Sequence, residues 1–277
     1  MLAVFGCMVA GGWQRTMKEA VKPWRQEGLK MWGICEIRRE DLDDPEEMAR
    51  IIRDRRTYYW SDDWSPGLYV ALARAGFIST GLEVGGRANH PLLIPEVQTA
   101  YALLDWERLH VSRSMHRWMG SEACLQHQFQ LRLGIEVREI AGRIAAAHPD
   151  NWLNWRYLRL LEELQAGCWK GFELVTVGLV TGGGRLVAGE IGYRTGRIYT
   201  SLTGFFDREG RRFGRTGTLQ LWLLGQLLRD QGFAFWNLGH PHMPYKLALG
   251  AVITPRREFL RRWGEEVEGD PVGTPES

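Results

Sequence analysis

The chain has 277 residues, 44% of them hydrophobic and 25% charged, and a formal net charge of +2. That composition belongs to a soluble globular protein and excludes disordered, collagen-like and coiled-coil classes. The length allows one large domain or two smaller ones. The charge is too small to prove a nucleic-acid partner. The choice of cation says more: only five Lys occur (Lys18, Lys22, Lys30, Lys170 and Lys246) among 35 Lys and Arg. Arg grips phosphate and carboxylate bidentately and stacks on flat groups, although a GC-rich genome gives the same bias. The 13 Trp are unusual. Each offers a large apolar area and one N–H that needs a partner. Cys7, Cys35, Cys124 and Cys168 are far apart, with no C-x-x-C pair. That spacing fits a reducing, cytoplasmic setting and argues against a zinc module or a disulfide scaffold. No apolar run is long enough to span a membrane. No basic residue precedes the first apolar stretch, so a signal peptide is not expected.

Residues 1–43 give no readable pattern. Asp44-Pro45-Glu46-Glu47 opens a helix that runs to about Arg56, with a capping side chain, an early Pro and acids at the positive end of the dipole. Ser65-Pro66 opens a second helix that Gly76 stops. Residues 81–96, with Gly85-Gly86, Pro91 and Pro95, read as a loop and as the candidate domain edge. A helix is predicted around 132–147. Another is predicted from Trp152 to about Leu164, capped by Asp150 or Asn151, with Trp152, Trp155, Leu158 and Leu161 on its apolar face. Strands follow at 173–180, 185–193 and 197–206, the first two joined by a Gly182-Gly183-Gly184 turn. An Arg- and Gly-rich loop, 207–217, leads to a helix with Leu219, Trp222, Leu223, Gln226 and Leu227 on its apolar face. Strands are predicted at 233–238 and 252–254, and the acidic end 264–277 reads as loose. This order makes an α/β (α+β) protein with a mixed sheet flanked by helices.

Several segments, in this order, resemble the leucyl/phenylalanyl-tRNA–protein transferases. Asp63-Trp64-Ser65-Pro66 with Gly76-Phe77-Ile78 is similar to that family's "D-L-S-P … G-I-F". Leu109-His110-Val111-Ser112-Arg113-Ser114-Met115 resembles its "L-H-x-S-R-S-L". Asn151-Trp152-Leu153 stands where it has "T-W-I", and Leu186-Val187-Ala188-Gly189 where it has "L-V-G-G". Ala248-Leu249-Gly250-Ala251 with Ile253, Arg256 and Phe259 resembles "S-L-G-A … I-x-R … F". The resemblance spans roughly residues 60–263. It implies a smaller N-terminal α/β domain (1–107) on a C-terminal GNAT-like acyltransferase domain (108–265), followed by a loose tail (266–277). The strand order fits that fold independently. The implied activity moves Leu or Phe from charged tRNA to the N-terminal Arg or Lys of a protein, which marks it for degradation. No metal or nucleotide cofactor is implied, and a monomer is expected.

The chemistry needs an apolar pocket for the donated side chain, basic residues for tRNA phosphates, and a way to take a proton from the attacking amine. The resemblance places Trp152 and Tyr199 in the pocket, with Leu202 and Phe205 beside them. Packing in the core is the competing reading for Trp152 and Trp155. Arg113, His116 and Arg117 fall on one helix face, and Arg208, Arg211, Arg212 and Arg215 crowd one loop. These are the candidate tRNA contacts, against the reading of a solvated charged surface. At the reacting centre the chain departs from the family. Asn237 and Gly239 stand where an Asp and a Gln are expected, and Leu202 replaces a Glu. Asn cannot act as a base, although its amide can orient an amine or donate to an oxyanion. Two alternatives stay open. The Arg211–Gly217 loop resembles, imperfectly, the pyrophosphate loop of acetyl-CoA-dependent N-acetyltransferases. A catalytically inactive tRNA or protein binder is the other. His240-Pro241-His242 lacks a third ligand at zinc-like spacing and reads as a turn.

Overall fold

The computed structural model describes residues 34–84, 90–207 and 213–269. The Arg208, Arg211 and Arg212 positions, Gly85-Gly86 and the tail beyond Gly269 lie outside the described residues. The chain begins with β1 (Cys35–Glu36), α1 (Arg39–Asp43), α2 (Pro45–Arg53), β2 (Tyr59–Trp60) and α3 (Pro66–Arg74). The start signals of two helices work as predicted. Asp44 accepts from the amides of Glu46 and Glu47, and Ser65 accepts from that of Leu68. Gly76 ends α3 at a φ of +86°.

The stretch predicted as a loop is a hairpin instead. β3 (Ile78–Val84) pairs antiparallel with β4 (His90–Glu96). Pro91 and Pro95 hid it, because Pro cannot donate to a ladder and is tolerated only in edge strands such as those of this two-stranded sheet. β5 (Ala100–Leu104) follows and leaves the hairpin for a different sheet. Next come α4 (Arg113–Met119), α5 (Glu122–Leu125), β6 (Gln130–Leu133), α6 (Val137–Ala147) and α7 (Trp155–Ala166). α7 begins three residues later than predicted, because the Asn154 side chain, not Asp150 or Asn151, caps it by accepting from the Tyr157 amide. Trp155 therefore opens α7 and stands 57% exposed, rather than on the packed face. The remaining elements are β7 (Phe172–Val180), β8 (Leu186–Thr195), β9 (Ile198–Phe206), α8 (Thr216–Asp230), β10 (Phe235–Asn237), α9 (Pro244–Leu249), β11 (Val252–Pro255) and α10 (Arg256–Glu266). The buried stripe of α8 runs through Leu219, Gln220, Leu224 and Leu228, rotated from the predicted one; Trp222 and Leu223 are half-buried.

Seven strands form the main sheet in the order β11-β5-β10-β9-β8-β7-β6. β5 precedes the division at residue 107/108, yet it pairs antiparallel with both β10 and β11. Alternate side chains divide between two cores, as the pleat requires. Leu174, Ile191 and Tyr193 pack with α6, α7 and the N-terminal elements. Val177, Leu179 and Val187 pack with α4 and α8.

Two residues of the C-terminal resemblance have plain structural reasons. Gly250 caps α9 at a φ of +114°, and an added Cβ would stand 2.0 Å from the Arg108 carbonyl oxygen. Gly250→Ala should therefore cost about 2–4 kcal/mol, through a left-handed backbone and a clash that cannot relax. A lowered urea midpoint at unchanged m checks it. Arg256, at the start of α10, donates to the carbonyls of Gln98, Asp54, Arg56 and Val97 at 2.9, 2.6, 3.0 and 2.6 Å. It ties the segment after α2 to the β4–β5 connection.

Candidate active site

The site arises where two parallel strands part. β10 pairs with β9 only at Ile198, Tyr199 and Thr200. From Ser201 onward β9 has no partner on that side, and a cleft opens. The opposite edge of β9 is irregular at the same point: its register with β8 jumps from Gly192↔Ser201 to Ile191↔Thr203. Leu202 is thus an extra residue, a β-bulge that frees its backbone groups from the ladder and re-aims its side chain. The cleft holds a cavity of about 180 Å³. Its apolar wall includes Trp152, Leu202, Phe205, Phe206, Leu221 and Met243. Gly217 and Thr218, in the first turn of α8, also line it. An open helix N-terminus at that position offers backbone N–H groups to an anion.

Three of the four predicted pocket residues line the cavity. Trp152 lines it at 8% exposure, and Tyr157 braces it edge-on at a centroid distance of 4.6 Å. Tyr157 is in turn fixed by its hydroxyl bonds to Tyr69 (2.9 Å) and the Ser79 carbonyl (2.8 Å). Leu202 and Phe205 line it directly. Tyr199 does not. It is fully buried, and its hydroxyl donates to Glu190 Oε1 at 2.8 Å.

Glu190 is the group that sequence reasoning missed. It follows the Leu186-Val187-Ala188-Gly189 segment on β8 and lines the cavity at 4% exposure. Tyr199 and Ser201 hydroxyls both reach Oε1 at 2.8 Å, and Gln220 Nε2 reaches Oε2 at 3.1 Å. Trp236 Nε1 donates to Ser201 Oγ at 2.9 Å and fixes that hydroxyl. Burial pushes the Glu190 pKa up, against the pull of these three donors and of the Lys246 charge. Glu190 is the carboxylate beside the Leu202 bulge, and it comes from the neighbouring strand β8.

The predicted reacting positions lie behind the cavity wall. Asn237 is fully buried; its Oδ1 accepts from the Gly239 amide at 2.9 Å and its Nδ2 donates to Thr200 Oγ1 at 3.4 Å. Gly239 follows at a φ of +70°. Together they shape the turn from β10 toward α9. The Asn237 side chain does not line the cavity, and Gly239 has no side chain to do so. The turn instead presents the carbonyls of Leu238 and His240 to Lys246 Nζ, the latter at 2.8 Å. Lys246 was also missed. The only available signal was its rarity, one of five Lys among 35 Lys and Arg.

Of the basic candidates, Arg113 and Arg117 are exposed on α4, whose first turn Ser112 caps. Arg215 Nη1 donates to the Ser114 carbonyl at 2.7 Å, which brings α8 and its loop to α4. His240 Nε2 lies 3.1 Å from Glu96 Oε1. Among the described residues no helix is long and apolar enough to cross a membrane.

A splayed parallel pair, a bulge beside it and a helix N-terminus at its mouth bound this cleft. Residues 110–247 match the family described as an acetyltransferase (GNAT) domain. The chain carries a GNAT acyltransferase domain. No curated protein matches it. Among solved structures, the C-terminal domain of a putative lysylphosphatidylglycerol synthetase from Agrobacterium fabrum is 12% identical, with a TM-score of 0.43 over 80% of this chain and 74% of that one. L-PGS from Bacillus licheniformis is 11% identical, with a TM-score of 0.40 over 79% of this chain and 64% of that one. FemX is 10% identical, with a TM-score of 0.44 over 77% and 73%.

Proposed function

We propose that this GNAT domain transfers an aminoacyl group, Leu or Phe, from the 3′ end of charged tRNA to a primary amine, that of an N-terminal Arg or Lys of a protein. The observation that carries the reading is a buried carboxylate set in an apolar pocket. A simple acyl group needs no anion beside it. An aminoacyl ester carries an α-ammonium next to its side chain, and Glu190 complements that charge while Trp152, Leu202 and Phe205 surround the side chain. The volume suits the purpose: an apolar cavity of roughly 150 Å³ accepts a benzene ring, and this one measures about 180 Å³. Backbone groups released at the Leu202 bulge would stabilise the oxyanion of the tetrahedral intermediate. Arg113, Arg117 and Arg215 would take tRNA phosphates.

The helix N-terminus at Gly217 and Thr218 favours a second reading, an acetyl-CoA-dependent N-acetyltransferase, because a pyrophosphate fits there as well as a tRNA phosphate. A transfer assay separates the two. Purified protein receives labelled Leu-tRNA and a peptide that begins with Arg, and in parallel labelled acetyl-CoA with the same peptide. Label is expected on the peptide from Leu-tRNA alone. Label from acetyl-CoA alone would replace the first reading by the second.

A further inference from the structure

Lys246 has no part in holding the donor, yet it is the most constrained cation in the cleft. It lines the cavity at 4% exposure, with Nζ donating to the carbonyls of Leu238 and His240. A neutral amine has two N–H bonds and one lone pair. The two carbonyls take both N–H bonds, so the lone pair is left for the cavity. We infer that Lys246 is the proton acceptor of the transfer, and that the acceptor substrate is a primary amine arriving in the cavity as an ammonium ion. The inference rests on the aminoacyl-transfer reading.

The balance is as follows. The entering ammonium gives one proton to Lys246 Nζ. Its freed lone pair attacks the ester carbonyl carbon, the C–N bond forms and the C–O bond to the tRNA ribose breaks. A second proton passes from the new amide nitrogen to the leaving ribose oxygen. Lys246 then returns its proton to solvent. Burial supports the role, since it brings the Lys246 pKa down to about 7 against the opposing charge of Glu190. The other titratable groups at the cavity are Glu190 on β8, His148 after α6 and Tyr245 beside Lys246. Burial pushes the Tyr245 pKa up, so that phenol stays neutral. The His240 ring is turned to Glu96.

The test combines kinetics with a readout free of turnover. The wild-type kcat/KM for transfer should rise with one deprotonation near pH 7. Lys246→Met fills the same space without a charge, and Lys246→Arg keeps the cation but cannot lose its proton. Both should lose that limb and at least about 100-fold in rate, while still protecting bound Leu-tRNA from ester hydrolysis. Trace labelling with acetic anhydride, read by mass spectrometry, should show Lys246 titrating near 7 and lower still in Glu190→Gln. Wild-type transfer rates in Lys246→Arg, or a Lys246 label that appears only near pH 10, would overturn the assignment. Failure of the wild type to protect Leu-tRNA would instead overturn the donor reading, whatever Lys246 does.

Discussion

Glu190→Gln should lower kcat/KM for Leu-tRNA about 10- to 100-fold, the worth of a hydrogen bond to a charged group at roughly 1.5–3 kcal/mol. The same variant should use N-acetyl-Leu-tRNA no worse than the wild type does, because that donor carries no α-ammonium. The pair of donors isolates the proposed charge recognition from general damage to the pocket. Gln suits the test because it is isosteric. The Tyr199 and Ser201 hydroxyls can still donate to its amide oxygen, and Gln220, which now donates to Oε2, can rotate its own amide. An equal loss with both donors would mean that Glu190 serves only to hold the strands.

Arg256→Met should destabilise the protein by about 3–5 kcal/mol, the cost of removing one partner from a buried, charge-assisted cluster. Four carbonyls from two separate segments converge on this one guanidinium. Met fills the volume of the stem but donates nothing, so the carbonyls of Asp54, Arg56, Val97 and Gln98 lose a partner together. A urea titration should show a lower midpoint at unchanged m. Folded molecules at low temperature should keep their transfer rate, because Arg256 stands apart from the residues that line the cavity. A midpoint within experimental error of wild type would show that water replaces the guanidinium without loss.

The residues most legible in the sequence turned out to punctuate the backbone. Asp44 and Ser65 each cap a helix through an oxygen that accepts from its first turn. Gly76 holds the left-handed position expected at the end of α3. The Gly182-Gly183-Gly184 turn joins β7 to β8 as predicted. Such signals are short-range, so one chain displays them without its fold. The hairpin at 78–96 was illegible for the opposite reason: its prolines break the local pattern, and its pairing depends on a partner several residues away. The Trp excess divides along the same line. Trp152 and Trp236 serve the cleft, one as its wall and one by fixing Ser201. Trp155, at the matching helical spacing, faces solvent, because the position of the cap set the phase of α7.

By itself the sequence determined the C-terminal order of strands and helices, several helix ends and the mixed sheet, because periodicity and capping are written in neighbouring positions. Only the tertiary structure decided which charged groups share the cleft. Glu190 and Lys246 are 56 residues apart in sequence and come from a central strand and a short helix beyond the sheet. They meet because β9 and β10 part at Ser201, and no local pattern encodes where two strands separate. In that shared cleft, burial pushes the Glu190 pKa up and the Lys246 pKa down, shifts that neither residue has in water.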